Sequence, residues 1–469
     1  MIIQHIRRFY LCAVLGLVSG AAFSQATGST AATTAQDSTG GPLSVLVDAA
    51  TRHLPLLSQK KALVSSAQAG VSYARNSFLP SAMALDEVNM ASANSLPGAY
   101  ESFGIIPSVS SSVRSAENWQ AATGNIGVLY SEYELVNFGL RKAKVSNAQS
   151  LVGVRQADLD FQTYLLEEQV SKLYFELLKS KYQLAVDQQN ILRYSTVDTV
   201  IHALTFSGIR AGVDSSLAQA ELSKARVAYN ERLGTIAQLT QEMAYLTGLA
   251  PDKVSVDTMA THPMMPSLDT PAGSNPFLNY YLQQKQYYLS SETLVKKSYL
   301  PKIILSGGAW GRGSSIAYND QYKDMGTGLG YQRYNYMVGL TFAYNLFDPV
   351  HRRDALTQAR FETQSTDYAL QQEQLDLNSA AAQAQEAIRE AEANLREIPI
   401  QIKAAGDAYN QKLAQYRAGL INLVDLTEAT YVLYSAQISY AETLNNWYLA
   451  NLDRATATGN LNQFIQSIK

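Results

Sequence analysis

Cysteine is almost absent from this chain: Cys12 is the single one in 469 residues. Everything beyond it is therefore without a disulfide, a thiolate metal site or a cysteine nucleophile. Charge is scarce too. Lysine plus arginine number 37 and aspartate plus glutamate 40, a formal charge of −3, so there is no polybasic footprint and no nucleic-acid partner is expected. Past the first 20 residues no apolar run reaches the length a membrane helix needs, about 20 residues. A membrane-spanning reading must then rest on β-structure, since lipid leaves no other way to satisfy the backbone. Catalytic signals are missing as well. His5, His53, His202, His262 and His351 are scattered without metal-ligand spacing, and there is no nucleophile elbow or Walker motif. Neither an enzyme, a cofactor nor a metal site is expected. Gly326, Gly328 and Gly330 lack the strand–turn–helix context of a nucleotide loop and read as a flexible loop.

Helix breakers are also missing over long stretches. No proline lies between Pro107 and Pro251, and residues 140–207 hold one glycine, Gly153. Such a run favours one very long helix, and 68 residues at 1.5 Å each reach about 100 Å. Val213 to Thr247 reads as its returning partner. Residues 350–416 and Leu420 to Thr458 repeat the pattern, with Pro399 expected to kink the outgoing helix. The last helix shows two seven-residue seams. One runs through Leu426, Leu433, Tyr440 and Trp447, the other through Val424, Tyr431, Ile438 and Leu452, the second interrupted by Asn445. Two seams mean a neighbour on each side.

What is present is a duplication. His53-Leu54-Pro55-Leu56 answers Asn275-Pro276-Phe277, and Ser77-Phe78-Leu79-Pro80 answers Ser298-Tyr299-Leu300-Pro301 at the same offset. Tyr133-Glu134-Leu135 with Arg141-Lys142 answers Tyr344-Asn345-Leu346 with Arg352-Arg353, and Arg210-Ala211-Gly212-Val213 answers Arg417-Ala418-Gly419-Leu420. A repeat this long is one large unit copied, since solenoid periods are about 20–50 residues. The expected organisation is a signal peptide at 1–24, a disordered leader at 25–41, repeat 1 at 42–250, a linker at 251–271, repeat 2 at 272–459 and a C-terminal tail at 460–469. Arg7 and Arg8, the apolar Phe9–Val18 and the small residues Ala22 and Ser24 supply the signal-peptide pattern. Cys12 stands beside the arginines rather than after the apolar core, so lipidation is not expected.

Each repeat carries a texture of period two between its helices. Tyr334, Tyr336, Val338, Leu340, Phe342 and Tyr344 alternate with smaller or more polar residues, and residues 302–317 read as the partner strand. Ser81 to Ala93 and Trp119 to Val136 are the equivalents in the first copy, around a polar loop at 94–117. Aromatic-rich alternation suits an outer-membrane strand. Four strands cannot close a barrel, for which about eight is the minimum, so a membrane reading forces an oligomer.

With these elements in this order, the chain resembles the TolC family of outer-membrane efflux and secretion channels, from about residue 42 to 459. The most specific stretch is Tyr416-Arg417-Ala418-Gly419-Leu420-Ile421-Asn422-Leu423-Val424-Asp425-Leu426-Thr427-Glu428-Ala429-Thr430, which is similar to the family's second periplasmic hairpin. The resemblance implies a mainly α, mixed α/β membrane protein. Its homotrimer would form a twelve-stranded barrel, four strands per chain, continued by a periplasmic α-helical barrel with an equatorial belt. It also implies a passive exit duct for tripartite efflux or type I secretion. The expected partners are outer-membrane lipid, a periplasmic adaptor and an inner-membrane transporter.

Residue by residue, the resemblance implies acidic gate rings at Asp425 and Glu428, which share one helix face and would favour cations and their block of the duct. Tyr416, Arg417, Arg210 and Asp214 are implied as gate-latch residues. Arg210, Ala211, Gly212 and Val213 with Arg417, Ala418, Gly419 and Leu420 are implied as adaptor-docking tips. The archetype's basic latch position is here Ile421. The competing reading is a soluble periplasmic coiled-coil scaffold or adaptor, with an exposed acidic helix face and glycines that merely make turns.

Overall fold

The computed structural model describes residues 43–94, 116–208, 212–254, 256 and 275–468. The expected signal peptide and leader, most of the 94–117 loop and most of the linker lie outside them. Helices α1 (Leu43–His53) and α2 (Pro55–Asn76) lead to strands β1 (Ser81–Ala91) and β2 (Ala122–Val136), then to α3 (Leu140–Phe206) and α4 (Gly212–Thr247). The second copy runs α5 (Pro276–Ser298), β3 (Lys302–Ser314), β4 (Arg333–Ala343), α6 (Asp348–Arg417) and α7 (Leu423–Thr458), followed by α8 (Leu461–Ser467).

Local chemistry explains the boundaries. Pro55 and Pro276 open α2 and α5 at the one place where a missing N–H costs nothing. Asn275 caps α5 by accepting from the Phe277 N–H at 2.9 Å, while its amide donates to the carbonyls of Thr456 and Ala457 at 3.1 and 3.0 Å. The start of one repeat is thereby tied to the end of its own return helix. In each copy a lysine of the short helix bridges an aspartate of the long one: Lys60 to Asp158 at 2.8 Å, and Lys285 to Asp367 at 2.6 Å.

The long helices hold 67 and 70 residues, each about 100 Å at 1.5 Å per residue. Pro399 does not end α6, which continues to Arg417. The return helix starts three residues later than the pattern suggested, because Asn422 is its cap. No helix among the described residues is long and apolar enough to cross a membrane.

Strands β1–β4 form one antiparallel sheet in chain order, with 11, 15, 13 and 11 residues. The register puts Tyr133, Leu305 and Leu340 in one row, so the aromatic and aliphatic stripe of β4 continues on a single face across β3 and β2. Glu132, Glu134, Lys302, Arg312 and Arg333 stand on the opposite face. There Lys302 bridges Glu134 at 3.1 Å, and a register shift between Glu134 and Val136 accommodates Leu135. Both β1 and β4 are open edges.

One expectation needs correction. The segment at Gly326–Gly330 is a short 3₁₀ turn strapped to the sheet, not a loose loop. The Asn125 amide donates to the Leu329 carbonyl at 2.8 Å, and the Tyr331 hydroxyl donates to Asp86 at 2.7 Å. A Cβ on Gly328 would lie 2.3 Å from Thr123 Oγ1, and one on Gly313 2.0 Å from the Gly330 oxygen. These glycines permit close approach of backbone to backbone. Residues of the expected C-terminal tail form α8, whose Leu461, Phe464 and Ile465 are buried with Leu43, Leu46, Phe175, Met243 and Leu452.

That core lies where α1, α3, α4, α7 and α8 meet. At its border burial, reinforced by the charge of Asp48, pushes the Glu167 carboxyl up from 4.5 to about 7. Between those values the folded chain keeps a proton that the unfolded chain releases. The stability this group contributes is therefore complete below pH 4.5 and is lost as pH rises through about 7. Glu167→Gln is expected to match the parent at pH 4 and to be the more stable by about 1–3 kcal/mol at pH 8. Thermal melts at the two pH values check it.

Candidate functional site at the helical tips

The tip of the second hairpin is built by two terminal motifs back to back. Helix α6 ends in a Schellman arrangement: Gly419 takes φ +76°, its N–H donates to the Tyr416 carbonyl at 3.0 Å, and the Leu420 N–H donates to the Gln415 carbonyl at 2.9 Å. Helix α7 then starts on Asn422, whose side chain accepts from the Asp425 N–H at 2.9 Å. Arg417, Ala418, Gly419 and Leu420 are exposed on the turn. Tyr416 is not: its ring is fully buried with Val197, Ile201, Ala218, Leu423 and Leu426, and Ile421 packs against the same cluster. The position of the archetype's basic latch thus belongs here to an apolar contact.

On the first hairpin, α3 closes at Gly208, φ +72°, and α4 opens at Gly212 with Asp214 in its first turn. Gly212 and Val213 are exposed and Asp214 is half-buried. Arg210 and Ala211 lie outside the described residues. Asp425 and Glu428 occupy the first two turns of α7 on one face, Asp425 half-buried and Glu428 exposed. Neither makes an ion pair among the described residues. A carboxylate in a first helical turn suits the helix dipole, and this alone would account for Asp425 but not for Glu428 one turn on.

Residues 283–460, from within α5 past the end of α7, match the family of the outer membrane efflux protein. This part of the chain is similar to the outer membrane efflux protein family. The remainder agrees in fold with solved outer-membrane proteins of the same build. The outer-membrane channel OprN superposes with a TM-score of 0.73 at 17% identity, over 89% of this chain and 90% of its own. The outer membrane protein VceC from Vibrio cholerae gives 0.71 at 16%, over 89% and 96%. The CmeC channel of Campylobacter jejuni gives 0.71 at 14%, over 91% and 90%. None of the curated proteins matches the chain in sequence. The resemblance to TolC-family channels read from the sequence holds in fold over most of the chain, and the family match supports it over residues 283–460. The family match and the fold agree with the expected outer-membrane efflux duct.

The two hairpins meet along α3 and α7, and the contacts there escaped sequence reasoning. The Tyr164 hydroxyl donates to the Thr456 carbonyl at 2.9 Å, the Asn445 amide to Glu176 at 3.0 Å and the Tyr434 hydroxyl to Asp187 at 2.8 Å. Phe175 and Tyr448 stack at 4.7 Å. Asn445, which interrupts a seam of α7, therefore has a partner. The two side-chain pairs lie eleven residues apart on both helices, a spacing of nearly straight neighbours, whereas the seams of α7 repeat every seven. Burial, then the bond to Asp187, pushes the Tyr434 phenol upward. Helix α3 is contacted from several sides by α1, α2, α4, α5, α7 and α8. It shows no clear apolar stripe, so a lone aspartate in its middle gave no signal.

Proposed function

We propose that this chain is an outer-membrane efflux protein and that three copies of it form a gated exit duct. Their twelve strands close one barrel in the outer membrane, and their long helices form a tunnel through the periplasm. The observation that carries this reading is a four-stranded sheet with two unpaired edges above helices of about 100 Å. An open edge is an invitation to pair, and a copy's β1 can continue a neighbour's β4. The strands, 11 residues or longer, have the length of membrane-spanning strands, about 9–11 residues when tilted. The helices also keep apolar stripes that none of the described residues covers: Phe361, Tyr368 and Leu375 on α6, and Val424 and Tyr431 on α7, each at seven-residue spacing.

In this duct Asp425 and Glu428 ring the periplasmic entrance. The exposed tips, Gly212–Val213 and Arg417–Leu420 with the adjoining Arg210 and Ala211, are where a periplasmic adaptor docks and joins the duct to an inner-membrane transporter. Tyr416 secures the closed tip through its packing, with Arg417, Arg210 and Asp214 at the rim. The duct is passive, and selection of cargo lies in the transporter. A scaffold or adaptor reading is not favoured, since it gives four long strands of this pattern no task.

The protein purified from outer membranes in detergent is expected to show the protein mass of three chains by light scattering. A monomer that stays soluble without detergent would contradict the reading.

A further inference from the structure

The wall between the hairpins contains a carboxylate to which the duct reading assigns no task. Asp187, in the middle of α3, is 1% exposed. Its Oδ2 accepts from Arg232 Nε of α4 at 3.3 Å, and its Oδ1 accepts from the Tyr434 hydroxyl of α7 at 2.8 Å. A buried carboxylate is costly unless its partners are in place. One partner here belongs to the first hairpin and the other to the second.

The surroundings show what such a tie can set. Towards the tips α3 and α7 touch mainly through apolar residues, Val197 and Ile201 against Leu423 and Leu426. Contacts of that kind tolerate sliding and rotation, because they have no direction. Directional bonds do not. Between α3 and α7, among the described residues, these include Tyr164 to the Thr456 carbonyl and Lys172–Asp453 far from the tips, then Glu176–Asn445, Asp187–Tyr434 and Arg193–Gln437, the last at 2.8 Å. Only Asp187 among these side chains also engages α4, so it alone fixes α7 to the first hairpin as a unit. Tyr434 lies 11 residues beyond Leu423, which puts the tie about 17 Å above the start of α7. A small rotation there becomes a larger displacement at the tip.

We propose that Asp187, bridging Arg232 and Tyr434, is the clasp that sets the register and rotation of the second hairpin against the first and so holds the tunnel entrance closed. It is a positioning residue, and its role rests on the gated-duct reading above.

The test compares Asp187→Asn and Tyr434→Phe with Asp158→Asn, which removes the Lys60–Asp158 bridge without touching the contact between hairpins. Two readouts are taken on the full chain. One is the spin-label distance between cysteines placed at Phe206 and Ala414, both exposed near the tips, in a Cys12→Ser background. The other is the open fraction in single-channel recordings. Both clasp variants are expected to lengthen and broaden the distance distribution and to raise the open fraction about tenfold, the worth of one hydrogen bond to a charged group. Asp158→Asn is expected to lower the melting temperature and leave both readouts at parental values. If Asp187→Asn fails to fold, Tyr434→Phe, which loses only a hydroxyl, decides alone. Lower melting temperatures with unchanged distances and open fraction would overturn the clasp and leave a structural ion pair. If the parent itself conducts no current, the duct reading fails, and the distance readout still decides whether Asp187 holds the hairpins together.

Discussion

Neutralising Asp425 and Glu428 together is expected to abolish block of the duct by a trivalent cation applied from the periplasmic side. The two carboxylates follow each other by three residues at the start of α7, unpaired by any described cation, on one face of the helix. Threefold symmetry would bring six of them to one constriction. A unit charge pair at about 10 Å in water is worth only about 0.4 kcal/mol, but a trivalent ion facing such a ring gathers many pairs at once. Even after screening the sum is about 3 kcal/mol, so the blocking concentration should rise roughly a hundredfold in the Asp425→Asn, Glu428→Gln variant. Asp425 also serves the helix terminus, a contribution of about 0.3–1 kcal/mol. The melting temperature should therefore drop slightly in Asp425→Asn and not in Glu428→Gln, while both single variants weaken block. Unchanged block in the double variant would mean that these carboxylates are an exposed helix face and line nothing.

The second large effect is expected from Tyr431→Glu. Tyr431 is 62% exposed and Val424, one heptad earlier, 60%, although both lie on a seam of α7 whose other residues are covered within the chain. In an isolated chain a glutamate at this exposed site should change stability by no more than about 0.5 kcal/mol. In the proposed trimer it would bury three unpaired carboxylates against apolar neighbours, a cost of several kcal/mol for each. The assembled form should then be lost while the folded chain persists: light scattering in detergent would fall from three chains to one, with an unchanged helical circular dichroism spectrum. A trimer that survives Tyr431→Glu would place the contact between copies elsewhere on the helices.

Much of this architecture was legible in the residues, for identifiable reasons. Strands β3 and β4 announced themselves because Tyr334 to Phe342 alternate strictly, and the long helices because proline and glycine are withheld from them. The hairpin tip at Gly419 was readable because a positive φ at a helix end favours glycine. The start of α7 was misplaced at Leu420, although Asn422 with Asp425 three residues on is a capping signal. Helix α8 carries its own signal, because Leu461, Phe464 and Ile465 keep helical spacing after Gly459. Other features were beyond reach. Gly328 of the strap answers to Thr123, which lies in the first copy, and Gly313 approaches the strap only because β3 runs beside it. Asp187 finds Arg232 and Tyr434 on two other helices, and nothing in the neighbourhood of any of the three marks them as partners. The acidic face at Asp425 and Glu428 was legible as a pattern, whereas its ring depends on copies that no single chain shows.

The central claim is that this chain assembles into a conducting duct. Planar-bilayer recording of the purified protein tests it most directly. The account predicts stepwise single-channel currents that a millimolar trivalent cation blocks from the periplasmic side alone. A protein that remains soluble without detergent and passes no current would contradict it.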